Sequence, residues 1–188
     1  DYGLYKSTDG GSNWTKLNVT IDNSNKPINP IDIEISPADN TIWVSSTRDF
    51  SGNGGGGVWQ SDESGNNFTK KYQVDIEAEP GRTEIEVTGS NTVWIISSTR
   101  DADPVKIFKG NNGLNGPPAE VTLPDAVDIS SEFTRGQHWY DQMLEADPIN
   151  SNKVFVGGIN LHKTTNGGAT AVSYTHLRAH ETRHDLVC

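Results

Sequence analysis

The segment TEIEVTGSNTVWIISSTRD (residues 83–101) closely resembles IDIEISPADNTIWVSSTRD (residues 31–49) earlier in the chain. Each segment contains an alternating stretch, a short turn with asparagine, and a second apolar stretch with tryptophan. A more distant copy is DQMLEADPINSNKVFVGGINLHKTTNGGAT (residues 141–170). Each copy continues through a loop into a third strand and a glycine-rich turn that leads to a fourth strand. The chain is therefore built from repeats. Internal repeats are the strongest sequence evidence for a fold and are interpreted first.

The spacing of the repeats indicates the architecture. The residues just before the glycine-rich turns, separated by 54, 49 and 54 positions, are Lys6, Gln60, Lys109 and Lys163. Units of this length with four short strands are typical of β-propeller blades, because one such sheet cannot bury its faces alone. Helical repeats are excluded, since apolar residues alternate with period two, as at Ile31, Ile33 and Ile35. The sequence predicts an all-β fold, a partial β-propeller of about three four-stranded antiparallel blades after an N-terminal hairpin.

The composition of the chain disfavours some classes of binding partner. The chain has 188 residues, a formal net charge of -10 and 32% hydrophobic residues. A strongly acidic surface disfavours nucleic acid and anionic membranes as partners. No stretch approaches the roughly 18 apolar residues of a membrane helix, so we predict no membrane insertion. The chain opens at Asp1 without a signal peptide, so we expect a fragment whose other partners are further blades of a full-length chain.

The glycine-rich turns carry a family resemblance. GLYKSTDGGSNWTKL (residues 3–17) contains the pattern Ser7-x-Asp9-x-Gly11-x-x-Trp14, which resembles the Asp-box, or BNR repeat, of sialidase-like and sortilin-like propellers. Two later turns match it in part, through Ser61, Glu63, Gly65 and Phe68, and through Thr164, Asn166 and Gly168. The resemblance covers residues 1 to about 170 and specifies a fold rather than an activity.

These turn residues are predicted to be structural. A short carboxylate such as Asp9 can accept N–H groups of its own turn, Gly11 supplies a positive φ, and Trp14 covers the hairpin. We therefore expect no metal site, and the spacing of an EF-hand is absent. A second set of acids alternates with aliphatic residues that we assign to the core, and is expected to form the polar face of each first strand. These acids, which could instead line a channel and hold a cation or a sugar, are Asp32, Glu34, Glu84 and Glu86.

Candidate ligand-binding residues lie in loops. FTRGQHWYDQMLEADP (residues 133–148) interrupts the repeat and places Arg135, His138, Trp139, Tyr140 and Asp141 together, a mixture suited to a sugar ring or a peptide. The alternative is that Trp139 and Tyr140 begin the next inner strand and pack in the core.

Two further arginines, Arg48 and Arg100, precede Asp49 and Asp101 at the same point of consecutive repeats. They could bind a carboxylate, as the resemblance to sialidases implies, or form a repeated ion pair. The predicted ligand-binding set is Arg48, Arg100, Arg135, His138, Tyr140 and Asp141.

The resemblance leaves two classes of function open. We expect a non-enzymatic ligand-binding or scaffolding segment of a larger secreted or cell-surface protein, bacterial in origin, that binds carbohydrate or an extracellular protein. The alternative is a glycoside hydrolase, sialidase-like or xyloglucan-type. No pair of catalytic residues stands out, and the sequence calls for no cofactor.

The C-terminal segment differs from the rest. Residues 172–182, VSYTHLRAHET, correspond codon for codon to one reading frame of a transposase sequencing adapter, and residues 183–188 continue the match. We therefore expect residues 1–170 to form the propeller segment and residues 171–188 to be an assembly artefact that does not pack on it. This exclusion removes Cys188 and three of the five histidines from any zinc site.

The truncated third turn yields a prediction. The motif that begins at Thr164 has Asn166, Gly168 and Thr170 in place and requires an aromatic residue at position 171, where alanine stands. We expect the native gene to encode tryptophan, or else phenylalanine, at this position. Resequencing the locus with adapters trimmed tests this, and the recovery of AVSYTHLRAHETRHDLVC from clean genomic reads would contradict it.

Overall fold

A computed structural model describes residues 2–74, 80–98, 105–122 and 133–173. Within these ranges the chain forms short β-strands and one helical turn. The elements are β1 (Tyr5–Lys6), β2 (Thr15–Lys16), β3 (Asn29–Ile35), β4 (Ile42–Thr47), β5 (Gly57–Ser61), β6 (Phe68–Gln73), β7 (Thr83–Val87), β8 (Val93–Ser97), β9 (Lys106–Gly110), β10 (Ala119–Val121), α1 (His138–Asp141), β11 (Met143–Ala146), β12 (Val154–Gly157), β13 (Leu161–Thr164) and β14 (Val172–Ser173). No helix in the described ranges is long and apolar enough to cross a membrane.

The strands form three four-stranded antiparallel sheets, which confirms the predicted fold class. The first sheet is β3-β4-β5-β6, the second is β7-β8-β9-β10 and the third is β11-β12-β13-β14, while β1 and β2 pair as the expected N-terminal hairpin. Spatial order follows chain order, so each sheet is a simple meander. Asn40 and Asn91 occupy equivalent turns between first and second strands with φ of 59° and 58°, a left-handed conformation that asparagine tolerates.

Apolar side chains are buried between successive sheets. Trp43 and Val58 of the first sheet pack with Ile85 and Val93 of the second in one cluster. A second cluster joins Trp94 of the second sheet to residues of the third, namely Leu144, Ala146, Val154 and Val156. The second sheet therefore packs on both faces, as expected for a blade that lies between two neighbours.

The first inner strand, β3, departs from the prediction. Its three isoleucines, which we assigned to the core, are exposed, whereas Asp32 and Glu34 are half-buried on the face toward the second sheet. Alternation along a strand places the two sets on opposite faces, but periodicity alone does not tell which face is covered. In the second sheet the same pattern has the expected result, since Ile85 and Val87 are buried.

Two glycine-rich turns are closed by side-chain hydrogen bonds. Asp9 Oδ1 accepts from the backbone N–H of Asn13 at 2.9 Å, and the Gly11 N–H donates to Ser7 Oγ at 2.8 Å. The third sheet repeats this geometry, where Asn166 Oδ1 accepts from the Thr170 N–H at 3.0 Å and the Gly168 N–H donates to Thr164 Oγ1 at 3.0 Å. Hydrogen bonds led by those from Asn13 lower the pKa of Asp9 to about 2.

The turn of the first sheet corrects a residue assignment. The carboxylate that accepts the turn hydrogen bonds belongs to Asp62, not Glu63, which points to solvent. Strand β5 ends at Ser61, whose hydroxyl accepts the Ile42 N–H at 2.8 Å. The turn therefore begins one residue earlier than the aligned motif requires. Hydrogen bonds from Ser64 and Asn67 hold the pKa of Asp62 well below its usual range.

Trp14 covers its hairpin less than predicted. Its indole is 62% exposed, and its Nε1 donates to the Gly11 carbonyl at 3.1 Å. The ring therefore closes the turn through a hydrogen bond, with much of its surface in solvent.

The start of the excluded C-terminal segment also departs from expectation. Val172 and Ser173 form β14, which pairs with Lys163 and His162 of β13. An open sheet edge offers unpaired backbone groups to any extended segment, whatever its side chains. The prediction that residues from 172 onward do not pack on the sheet is wrong for these two residues, and residues 174–188 lie outside the described ranges.

Burial predicts different costs for two tryptophans. Trp43→Ala removes a fully buried indole and is expected to lower the free energy of unfolding by about 3–5 kcal/mol. Trp14→Ala is the matched control and is expected to cost about 1 kcal/mol or less, since the ring is mostly exposed. Urea unfolding of both variants measures the difference, and similar losses would contradict the assignment of Trp43 to the core.

Candidate ligand-binding site

The topology separates the loops into two ends. Because neighbouring strands are antiparallel, the C-terminal ends of β4, β6 and β10 lie at one end of the sheets and the glycine-rich turns lie at the other. Arg48 lies in the β4–β5 connection, and residues 133–142 lie in the β10–β11 connection with α1. The topology thus brings these two predicted regions to the same end, while Arg100 lies outside the described residues.

A cleft of about 510 Å³ lies at this end, between the first and second sheets. It combines two arginines with exposed aromatic rings, an aspartate and glycine backbone. The lining residues are Asn29, Thr47, Arg48, Asp49, Phe50, Gly52, Gly81, Arg82, Ser98 and Trp139.

Arg48 is the least satisfied group of the cleft. Within the described part of the chain, its Nη1 atom is shielded from solvent and has no hydrogen-bond partner. The neighbouring Asp49 Oδ1 instead accepts from the N–H groups of Ser51 and Asn53, each at 2.9 Å. Asp49 therefore closes its own turn, in place of the ion pair with Arg48 considered from the sequence. A buried guanidinium N–H without an acceptor is costly and favours the approach of an anion.

Arg82 is a site residue that sequence reasoning missed. Its Nε donates to Glu84 Oε1 at 2.7 Å, and Nη1 donates to the Tyr140 carbonyl at 3.3 Å. It thereby connects α1 to β7 while its charge is balanced by Glu84. It belongs to neither a repeated motif nor the insertion, so only the folded arrangement identifies it.

The helical turn α1 exposes its aromatic residues and buries its histidine. Trp139 is 66% exposed and lines the cleft, and the Tyr140 ring lies 5.6 Å from it between centroids. Neither ring enters the core, contrary to the packing alternative. His138 is 1% exposed, so the structure places it in a buried position, and its contact with a ligand stays a prediction.

The remaining predicted residues of the insertion do not line the cleft. Arg135 is exposed with a φ of 51°, and its Nη2 donates to Asn160 Oδ1 at 3.4 Å. Asp141 is partly buried at the end of α1. These two residues stay predictions as ligand contacts.

The acids of the inner strands face the next sheet rather than solvent. Asp32 Oδ2 accepts the Ile85 N–H across the interface at 2.9 Å, and Glu86 is 8% exposed. Burial, followed by the negative charges of Asp32 and Glu145, raises the pKa of Glu34 to about 7. Burial, followed by the charge of Glu34, raises the pKa of Glu86 to about 8. No group of three potential metal ligands occurs among the described residues.

Comparison with known proteins identifies the class of fold. No family model and no curated protein matches the chain. Among solved structures, it is similar to the GH74 enzyme of Niastella koreensis, with a TM-score of 0.59 and 19% identity, over 91% of this chain and 26% of that one. YCF48 from Cyanidioschyzon merolae aligns with a TM-score of 0.51 and 16% identity, over 77% of this chain and 36% of that one.

A structure of YCF48 bound to D1 peptide gives a TM-score of 0.50 and 16% identity, over 90% of this chain and 45% of that one. The chain thus spans less than half the length of each of these structures. Similarity at this level of identity shows the fold, and the three sheets match part of a β-propeller.

The inner-strand acids predict an unusual pH dependence. A carboxyl whose pKa is raised in the folded state stabilises the protein fully below its unfolded pKa, and this contribution is lost as pH rises through the folded pKa. For Glu34 and Glu86 the loss extends from about pH 4.5 to about pH 8. Glu86→Gln is expected to stabilise the protein at about pH 8, on the order of 1–3 kcal/mol, and much less at about pH 5.

Urea unfolding at the two pH values measures this effect. Glu63→Gln, at an exposed glutamate, is the control and should show no comparable pH-dependent gain. Equal effects of Glu86→Gln at both pH values would show that the folded protein does not penalise ionisation of Glu86.

Proposed function

We propose that this chain is a non-enzymatic ligand-binding segment of a larger secreted or cell-surface protein. Its ligand occupies the cleft between the first and second sheets and carries an anionic group next to a sugar ring or an apolar side chain. The observation that carries this proposal is Arg48, which lines the cleft and whose Nη1 is shielded from solvent without an acceptor in the described part of the chain.

The chemistry of the cleft supports this ligand class. A carboxylate that accepts two hydrogen bonds from Arg48 would satisfy the guanidinium and balance its charge. Trp139 offers an exposed indole face on the opposite element, suited to stacking on a sugar or an apolar side chain. Arg82 contributes little free charge, because Glu84 already pairs with it. The site therefore has one cationic anchor beside one aromatic surface.

The comparisons are consistent with binding. YCF48, whose fold this chain shares in part, has been solved with a bound D1 peptide. A propeller of this kind can therefore hold a peptide, and an extracellular peptide or a carbohydrate with a carboxylate is the corresponding proposal for this chain. Among the described residues that line the cleft, we identify no catalytic pair, which favours binding over catalysis.

The alternative is a glycoside hydrolase, sialidase-like or xyloglucan-type. The partial likeness to a GH74 enzyme supports it, as do the raised pKa values of Glu34 and Glu86, which suit a general acid. These acids lie on inner strands and not in the cleft lining. Release of reducing sugar from xyloglucan or sialyllactose, abolished by Glu86→Gln, would favour the enzyme and contradict the binding-only proposal.

The role of Arg48 predicts a binding defect. Arg48→Gln keeps a polar side chain but removes the charge, and should weaken binding of an acidic peptide with a free C-terminal carboxylate by roughly 10- to 150-fold. Isothermal titration calorimetry with the peptide, its C-terminally amidated form and sialyllactose identifies which carboxylate is bound.

Lys71→Gln is the matched control, because it removes one positive charge from β6, outside the cleft lining. Equal weakening by Lys71→Gln would indicate non-specific attraction, and unchanged binding by Arg48→Gln would remove the anchor on which the proposal rests.

A further inference from the structure

One face of the inner strand β3 is apolar and exposed. Ile31, Ile33 and Ile35 are 38%, 53% and 64% exposed, respectively, and lie side by side along the strand because alternate residues share a face. We call these three residues the β3 stripe. A row of branched aliphatic side chains in solvent is unusual for an inner strand and indicates a face that is covered by another element.

The repeat shows what covers the equivalent face. Ile85 and Val87 of β7 correspond to Ile33 and Ile35 in the repeated segment, and both are buried. They pack against Trp43 of β4 and Val58 of β5, which belong to the preceding sheet. An inner strand of this chain therefore buries its aliphatic face against the sheet that comes before it.

The β3 stripe adjoins an apolar interface that the N-terminal residues already form with β4 and β5. Ile33 is paired with Val44 across β3 and β4, so the two side chains share a face. Val44 and Trp59 are buried against Leu4, Val19 and Ile28 from the N-terminal residues. The apolar surface therefore runs from the N-terminal hairpin inward to the stripe.

The hairpin itself corresponds to the outer half of a sheet. Lys6 of β1 holds the position that Gln60 holds in β5 and Lys109 holds in β9, the third strands of their sheets. Strands β1 and β2 are thus a third and a fourth strand. The first and second strands of that sheet would lie beside the β3 stripe.

We propose that the β3 stripe is covered by the first two strands of the sheet whose outer strands are β1 and β2, contributed by the same polypeptide. The second of these strands carries a bulky aromatic residue at the position of Trp43 and Trp94, because that position covers the aliphatic face of the following inner strand. A four-stranded sheet from a second copy does not fit equally well, since β1 and β2 already occupy the outer half of the interface. This inference is independent of any ligand in the cleft.

Thiol labelling tests the proposal on the complete product of the gene. Residues 1–170 contain no cysteine, so replacing any cysteine elsewhere in that product with serine gives a background into which single cysteines can be introduced at chosen sites. Ile33→Cys reports the stripe, Ile85→Cys reports the equivalent buried position, and Ile149→Cys reports a fully exposed loop. We expect the maleimide reaction at position 33 to be slow, as at position 85, and at least roughly tenfold slower than at position 149.

Two outcomes would overturn the proposal. Fast labelling at position 33 would show that nothing covers the stripe, and protection that disappears on dilution would show that a second copy covers it. Hydroxyl-radical footprinting of the unsubstituted protein gives a second measurement that does not depend on the folding of a variant. Low oxidation of Ile31, Ile33 and Ile35, independent of protein concentration, is the expected result.

Discussion

Two indole rings occupy equivalent places between successive sheets, and the rest of the arrangement depends on them. Trp43 lies in the cluster that joins the first sheet to the second, and Trp94 lies in the cluster that joins the second to the third. The Trp94 Nε1 donates to the carbonyl of Ser151, in the turn between β11 and β12 of the third sheet, at 3.1 Å, which orients the ring across the interface. A four-stranded sheet has two apolar faces, so each sheet is stable only when a neighbour covers it.

This packing has an electrostatic consequence on the inner strands. Strand register pairs Glu34 with Trp43 and Glu86 with Trp94, so each glutamate shares a face with a buried indole. Burial at the interface desolvates both carboxylates, and the charges of nearby acids, Asp32 and Glu145 among them, add to the rise of both pKa values. At the glycine-rich turns Asp9 and Asp62 are exposed and accept local hydrogen bonds, which lower theirs. One acidic chain thus contains two groups of carboxylates with opposite effects on stability as pH changes.

The repeat made the sheets predictable, while single positions depended on contacts that a linear pattern does not contain. Period-two alternation identified the strands, but the covered face of β3 depends on which neighbour is present, so the placement of Ile33 was wrong. The motif alignment chose Glu63 because it matched the spacing of Asp9, although strand β5 ends one residue earlier and gives the role to Asp62. The insertion correctly indicated a loop at the Arg48 end of the sheets. The sequence could not show that α1 buries His138 and exposes Trp139. Arg82 carried no signal at all, because its importance comes from its bonds to Glu84 and Tyr140.

The glycine-rich turns and the β4–β5 connection, at opposite ends of the sheets, differ in how their charged and amide side chains are satisfied. At one end, the carboxylate or amide side chains of Asp9, Asp62 and Asn166 accept the N–H groups of their own turns. At the other end, Asp49 closes its turn in the same way, but the adjacent Arg48 is left with a buried N–H that no described residue accepts. The side chains of the glycine-rich turns satisfy the N–H groups of those turns, whereas a buried guanidinium N–H without an acceptor is unfavourable for the folded protein. Because the net charge of the chain is -10, Arg48 lies in a predominantly acidic molecule, and an external anion that accepted its hydrogen bond would remove the cost of the unpaired N–H.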